Sequence, residues 1–139
     1  MQAQKTVTDL VREYFSTYES GDRAALEAIL SDDFSFHSPH DARLDRATYF
    51  RKCWPNRKNI HLFRIENILE AGNEAFVRYE CEPKIGARFR NTEFFRVDGG
   101  KITEVEVYYG SLPKSLPVAP KRPASSPTLN GFDWSNLQP

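Results

Sequence analysis

Cysteine, excess charge and long apolar runs are all scarce in this chain, and each scarcity removes a class of function. The two cysteines, Cys53 and Cys81, form neither a metal-ligand spacing nor a redox motif. Basic and acidic side chains balance at 19 each, which argues against nucleic acid or an anionic membrane as the partner. There is no apolar run of about 20 residues, the length a membrane-spanning helix needs, and no signal-peptide pattern. The expectation is a cytoplasmic protein with reduced thiols. No internal repeat is visible. At 139 residues the chain suits one domain, which can bury about 68–70% of its unfolded surface without a disulfide or metal staple.

Glycine and proline, sparse through the first 110 residues, punctuate them cleanly. Val7, Leu10, Val11, Tyr14 and Tyr18 recur at helical spacing. Thr6 with Asp9 offers a capping box, and Gly21 a stop. Asp22 caps a second helix through Leu30. Ser31-Asp32-Asp33 breaks it, and Phe34 to Ser38 alternates as a short strand ended by Pro39. Asp45 caps a third helix, Arg46 to Trp54, which Pro55 ends. Ile60 to Ala71 and Glu74 to Cys81 are strands joined at Gly72-Asn73. In the first, alternation places His61, Phe63, Ile65, Asn67 and Leu69 on one face. Six of the nine prolines fall in the last 30 residues, so residues 1–110 are read as the domain and residues 111–139 as a proline-rich tail.

Arg88 to Gly110 is the most informative stretch. It forms two strands around an Asp98-Gly99-Gly100 turn, a strong hairpin signal. One face carries Phe89, Asn91, Glu93, Phe95 and Val97, then Thr103, Val105, Val107 and Tyr109. The other carries Arg88, Arg90, Thr92, Phe94 and Arg96, then Ile102, Glu104, Glu106 and Tyr108. Glu93 is a carboxylate in the middle of the more apolar face, where ionisation is costly without a partner. The element order, three helices interrupted by a strand and followed by four antiparallel strands, gives an α+β domain.

These residues carry a family resemblance. Tyr14 followed by Glu19-Ser20-Gly21-Asp22, Leu30-Ser31-Asp32-Asp33-Phe34, Ser38-Pro39, Gly72-Asn73-Glu74-Ala75 and Glu93-Phe94-Phe95-Arg96-Val97 leading to Gly100-Lys101-Ile102 occur in an order and spacing that resemble the SnoaL-like branch of the nuclear transport factor 2 (NTF2) superfamily, and ketosteroid isomerase within it. The resemblance implies a cone, with three N-terminal helices packed on a strongly curved antiparallel sheet enclosing a pocket. It also implies a homodimer through the outer sheet face. In the isomerase pattern the helical tyrosine corresponds to Tyr14 and the hydrogen-bond-donating acid to Glu93. The general base, an aspartate before a proline, corresponds to Ser38 and is therefore missing.

A carboxyl among Phe89, Phe95 and Tyr79 has its pKa raised by desolvation. Protonated, it becomes a donor that with Tyr14 holds a carbonyl or enolate oxygen. The bland alternative is that the two groups satisfy each other in the core. For the missing base, His40 and Asp41 lie in the adjacent loop; His37 points the opposite way from Ser38. His37, His40, Asp41 and His61 do not have metal-ligand spacing on such a segment. Cys53 reads as buried filler. Tyr18, Phe36, Phe50, Trp54, Phe63, Tyr79 and Phe95, with Ser38, Asn67 and Asn91, are the expected pocket lining. The expected function is a small-molecule pocket protein, an isomerase, lyase or hydratase acting on an apolar carbonyl compound without metal or organic cofactor. The alternatives are a non-catalytic binder of a hydrophobic ligand and an interaction dimer with a vestigial pocket.

Overall fold

Thr6 starts the first helix by a reciprocal bond. Its hydroxyl accepts the Asp9 N–H at 3.0 Å while the Asp9 carboxylate accepts the Thr6 N–H at 3.0 Å, so two of the helix's four orphan donors are satisfied. The computed structural model describes residues 4–110. The expected proline-rich tail lies outside the described residues. Helix α1 (Val7–Ser20) ends at Gly21, whose φ of 75° is a left-handed cap that costs glycine little. Asp22 caps α2 (Arg23–Ile29), and Asp45 caps α3 (Arg46–Lys52). The sequence reading runs the third helix on to Trp54. Instead the α-helix stops at Lys52, and a 3₁₀ segment spans Trp54–Asn59 with Pro55 in its first turn, where a missing N–H does no harm.

The six strands are β1 (Leu30–His37), β2 (Leu44–Asp45), β3 (Ile60–Ala71), β4 (Glu74–Pro83), β5 (Phe89–Asp98) and β6 (Lys101–Tyr109). They form one sheet in the order β2-β1-β6-β5-β4-β3. The last four strands make the expected antiparallel meander. β1 joins the free edge of β6 in parallel, which is possible because an α-helix, a 3₁₀ segment and four strands separate the two in sequence. With the short β2 added, the sheet is mixed, curved and unclosed, and the domain is the α+β cone expected. The aromatic face of α1 packs on the concave side. Phe15 meets Phe63, Tyr79 and Phe95 at ring separations of 4.8–5.9 Å. Tyr49 of α3 lies edge-on to Phe34 at 4.9 Å. Each such fully buried side chain contributes about 1.5–3 kcal/mol.

Two of the sheet's register shifts reverse parts of the simple alternation, and a third leaves His61 as an extra residue at the start of β3. In β6, Arg96 pairs with Glu104 but Val97 pairs with Ile102, so Thr103 is the extra residue. Ile102, expected on the outer face, is fully buried. In β3, Ile65 pairs with Tyr79 and Asn67 with Arg78, leaving Glu66 as the extra residue. Asn67 and Leu69 are thereby turned outward and Ile68 inward. A one-residue insertion changes the face of everything beyond it. No helix among the described residues is long and apolar enough to cross a membrane.

These bulges predict opposite outcomes for two similar truncations. Ile102→Ala costs about 2–5 kcal/mol in denaturant unfolding. Leu69→Ala, at a side chain 70% exposed, changes stability by about 0.5 kcal/mol or less. Equal losses would contradict the register.

Candidate functional site

Glu93 sits in the middle of β5, and its cross-strand neighbours are Val77 on β4 and Val107 on β6. Neither can pair with a charge. The nearest polar side chain is diagonal: Tyr79 of β4 donates its hydroxyl to Glu93 Oε1 at 2.5 Å. Asn91, directly opposite Tyr79 in the ladder, donates from Nδ2 to the Tyr79 oxygen at 3.2 Å. The other carboxyl oxygen, Oε2, is buried and has no hydrogen-bond partner among the described residues.

That oxygen belongs to a side chain lining a cavity of about 390 Å³. The inner part is formed by Tyr14, Tyr18, Tyr79, Asn91 and Glu93, all less than a tenth exposed. Ser38, Asp41, Asn56, Asn59, Phe89 and Tyr109 form the more accessible part. The volume and the apolar lining with few polar groups are those of a small-molecule site.

Burial pushes the Glu93 carboxyl up to about 7, with the Tyr79 hydrogen bond pulling partly the other way. Glu93 is therefore poised between donor and acceptor near neutrality. Tyr14 and Glu93 do not satisfy each other. The Tyr14 hydroxyl lies 2.7 Å from that of Tyr49, which also lies 2.5 Å from that of Tyr18. Three hydroxyls joined by two contacts use two of their three hydrogens, so one O–H is left over. When Tyr49 donates to one neighbour and accepts from the other, the spare hydrogen belongs to Tyr14 or Tyr18, both on the cavity wall. Burial holds all three phenols well above their ordinary pKa, so they remain donors.

In the loop after β1, the Ser38 hydroxyl donates to Asp41 Oδ2 at 3.2 Å and accepts the N–H groups of His40 and Asp41 at 3.2 and 3.1 Å. This turn brings Asp41 to the cavity wall. Two thiols, Cys53 and Cys81, also line the cavity, but burial pushes each up to about 12, so they stay protonated and unreactive at neutral pH. Among the described residues, no three His, Cys, Asp or Glu side chains converge as a metal site.

Of the residues singled out in the sequence, Tyr14, Tyr18, Phe36, Ser38, Asp41, Phe63, Tyr79, Asn91 and Glu93 line the cavity. Five do not. His40 is exposed and stacks on Tyr109 at 5.3 Å, because the Ser38 turn spends its backbone N–H and leaves the ring outside. Asn67 is turned to the outer face by the β3 bulge. Phe95 is fully buried behind the Tyr14 ring, 5.1 Å away. Phe50 packs under the Arg23 and Arg46 guanidinium groups. Trp54 backs Tyr18 at 5.0 Å. Tyr49, in the sequence only one of the aromatics of the third helix, is the hub of the phenol chain; its partners are on α1, so no local pattern marks it. Tyr109 was legible, since alternation puts it on the face of Glu93. Asn56 and Asn59 lie in the 3₁₀ segment, where no periodicity points to them.

A sequence profile of the SnoaL-like domain matches residues 11–105. No curated protein matches the chain by sequence. Among solved structures, an NTF2-like protein of unknown function from Cytophaga hutchinsonii superposes with a TM-score of 0.64 at 20% identity, covering 78% of this chain and 94% of that one. An LEH-like epoxide hydrolase from M. tuberculosis gives 0.64 at 18% identity, with 74% and 81% covered. A hypothetical protein with a ketosteroid isomerase-like fold from Catenulispora acidiphila, in complex with trimethylamine, gives 0.63 at 15% identity, with 76% and 87% covered. At these identities the likeness is one of fold.

The Glu93 carboxyl links stability to pH. Its folded pKa of about 7 lies above the ordinary 4.5, so between these values the folded state holds the extra proton. Stability therefore falls as pH rises through this window, by up to about 3 kcal/mol, and is lowest above it. Glu93→Gln is expected to remove that slope between pH 5 and 8 in denaturant unfolding. An unchanged slope would show that Glu93 is already ionised at pH 5.

Proposed function

The chain belongs to the SnoaL-like domain family, and from that premise we propose that its cavity takes a small, mostly apolar carbonyl compound and moves a proton on it, in an isomerase, lyase or hydratase reaction. The observation that carries this reading is the Glu93 Oε2 atom, buried and unpartnered on a side chain that lines the cavity. Leaving such an atom unsatisfied costs about 1–3 kcal/mol, a cost that a ligand oxygen or proton removes.

Protonated Glu93 donates from Oε2 to the carbonyl oxygen of the ligand. The spare tyrosine hydrogen at Tyr14 or Tyr18 supplies a second donor. Together they stabilise negative charge as it develops on that oxygen. Asp41, held by Ser38 on the cavity wall, is the base that removes or returns a proton at carbon. The missing aspartate at Ser38 is thereby replaced from three residues further along the turn. The small-molecule character of the epoxide hydrolase and of the trimethylamine complex among the structural neighbours agrees with a ligand cavity.

The outer sheet face supports a homodimer. Phe76 and Phe94 meet at a tilt, 5.2 Å between ring centres, with Phe76 and Tyr108 about half exposed. Arg96 bridges Glu74 at 3.0 Å and Glu104 at 2.7 Å beside them. Apolar rings ringed by paired charges suit an interface core and rim. Sedimentation is expected to give twice the chain mass for the wild type and the single-chain mass for Phe94→Asp. A wild-type monomer at high concentration would refute the dimer.

2-Naphthol, followed by its fluorescence, tests the cavity. Glu93→Ala is expected to weaken its binding by about 10- to 100-fold, the loss of one hydrogen bond to an ionisable group. Unchanged affinity would overturn the role of Glu93. Catalysis is separated from mere binding by deuterium exchange at the α-carbon of 2-tetralone in D₂O. The wild type is expected to accelerate exchange and Asp41→Asn to lose at least tenfold of it; no acceleration would leave a binding protein.

A further inference from the structure

The polar side chains beneath Glu93 form a chain with one possible direction. Gly110, which follows β6, donates its N–H to Asn91 Oδ1 at 3.3 Å, sharing it with the Arg90 carbonyl at 2.9 Å. An N–H cannot accept, so the Asn91 atom facing Gly110 must be the oxygen and the amide nitrogen must face Tyr79. Tyr79 then receives a hydrogen on its oxygen from Asn91 and has only its own O–H to give, which goes to Glu93 Oε1. Oε1 is thus an acceptor in either charge state of Glu93. With Oε1 accepting from Tyr79, a carboxylic acid proton sits on Oε2, the atom with no partner among the described residues.

We infer that Gly110, Asn91 and Tyr79 are a positioning relay that fixes the Glu93 proton on Oε2, so that the site meets its ligand with a donor and selects a hydrogen-bond acceptor at that point. This deepens the proposed function, on which it rests for its catalytic meaning but not for its geometry. A second feature marks the relay as built into the fold. A Cβ on Gly110 would lie 2.2 Å from the Arg90 carbonyl oxygen, a separation no side chain tolerates, so only glycine lets the chain pass close enough to orient Asn91. Asn91, Tyr79 and Glu93 are 7%, 3% and 5% exposed, so water does not compete for their bonds.

Asp41, the other carboxylate on the cavity wall among the described residues, is left unchanged in every variant, and the titratable groups packed around Glu93 are neutral near pH 7. They are Tyr14 and Tyr18 of α1, Tyr49 of α3, Cys53 beyond it, and Tyr79 and Cys81 of β4, each raised chiefly by burial. A change in Glu93 titration therefore reports on the relay rather than on a neighbour's charge.

The test is a double-variant cycle on the ligand-free full chain. Glutamate side-chain carboxyls are labelled with ¹³C, and the Glu93 signal is assigned with Glu93→Gln. Tyr79→Phe keeps the ring and removes the donor, so Glu93 is expected to titrate roughly one pH unit higher. Asn91→Asp can only accept at Tyr79. It turns the phenol hydrogen away from Glu93 and also adds a direct charge effect. In the Tyr79→Phe background only the direct effect remains, so the upward shift from Asn91→Asp is expected to be larger with the Tyr79 hydroxyl present than without it. Equal shifts in the two backgrounds overturn the relay. If the Asn91 variants fail to fold, Tyr79→Phe alone decides, and no upward shift overturns it. Failure here leaves naphthol binding by Glu93 intact, whereas loss of that binding result with a positive cycle would strike the ligand reading alone.

Discussion

Burying a carboxyl between two valines is the constraint from which most of this molecule's chemistry descends. Val77 and Val107 flank Glu93 in the ladder and offer it no counter-charge. The sheet can hold it only by supplying hydrogen bonds from elsewhere or by keeping it protonated. It does both in part: Tyr79 satisfies one oxygen, and burial raises the pKa to about 7. A structural carboxyl would have both oxygens satisfied. Here the second oxygen has no partner among the described residues, at a cost to stability that the fold tolerates.

The cavity exists because the helices cover the concave face of a bent sheet unevenly. α1 lays Phe15 and Tyr14 against Phe63, Tyr79 and Phe95. The 3₁₀ segment after α3 and the turn after β1 close in from the sides without filling the space. The three phenols of Tyr14, Tyr49 and Tyr18 extend the polar part of the wall away from Glu93. Because two contacts cannot use three hydrogens, that chain too has a donor to spare. The site is thus rich in directed hydrogens and poor in fixed charge, the arrangement expected where charge develops on a ligand rather than resides there.

Much of this was legible in the chain. The caps at Thr6, Asp22 and Asp45, the stop at Gly21 and the Gly72 and Gly99-Gly100 turns are local chemistry, and local chemistry placed the helices and the meander. Glu93 announced itself as a charge on an apolar face. What was hidden depends on contacts between distant residues. The bulges at Glu66 and Thr103 are set by pairing, so alternation alone misplaced Asn67 and Ile102. The parallel union of β1 with β6 joins opposite ends of the domain. Tyr49 looked like any helical core aromatic until its hydroxyl was found between two others. His40 looked inward-capable until the Ser38 turn claimed its backbone and left the ring on Tyr109.

Infrared spectroscopy shows, without any ligand, whether Glu93 is a neutral acid whose free oxygen meets the cavity. The difference spectrum of wild type minus Glu93→Gln at pH 6 is expected to contain the carbonyl stretch of a protonated carboxylic acid whose carbonyl oxygen accepts one hydrogen bond, from Tyr79, and that stretch shifts in D₂O. A difference spectrum showing only carboxylate bands at that pH would contradict the account.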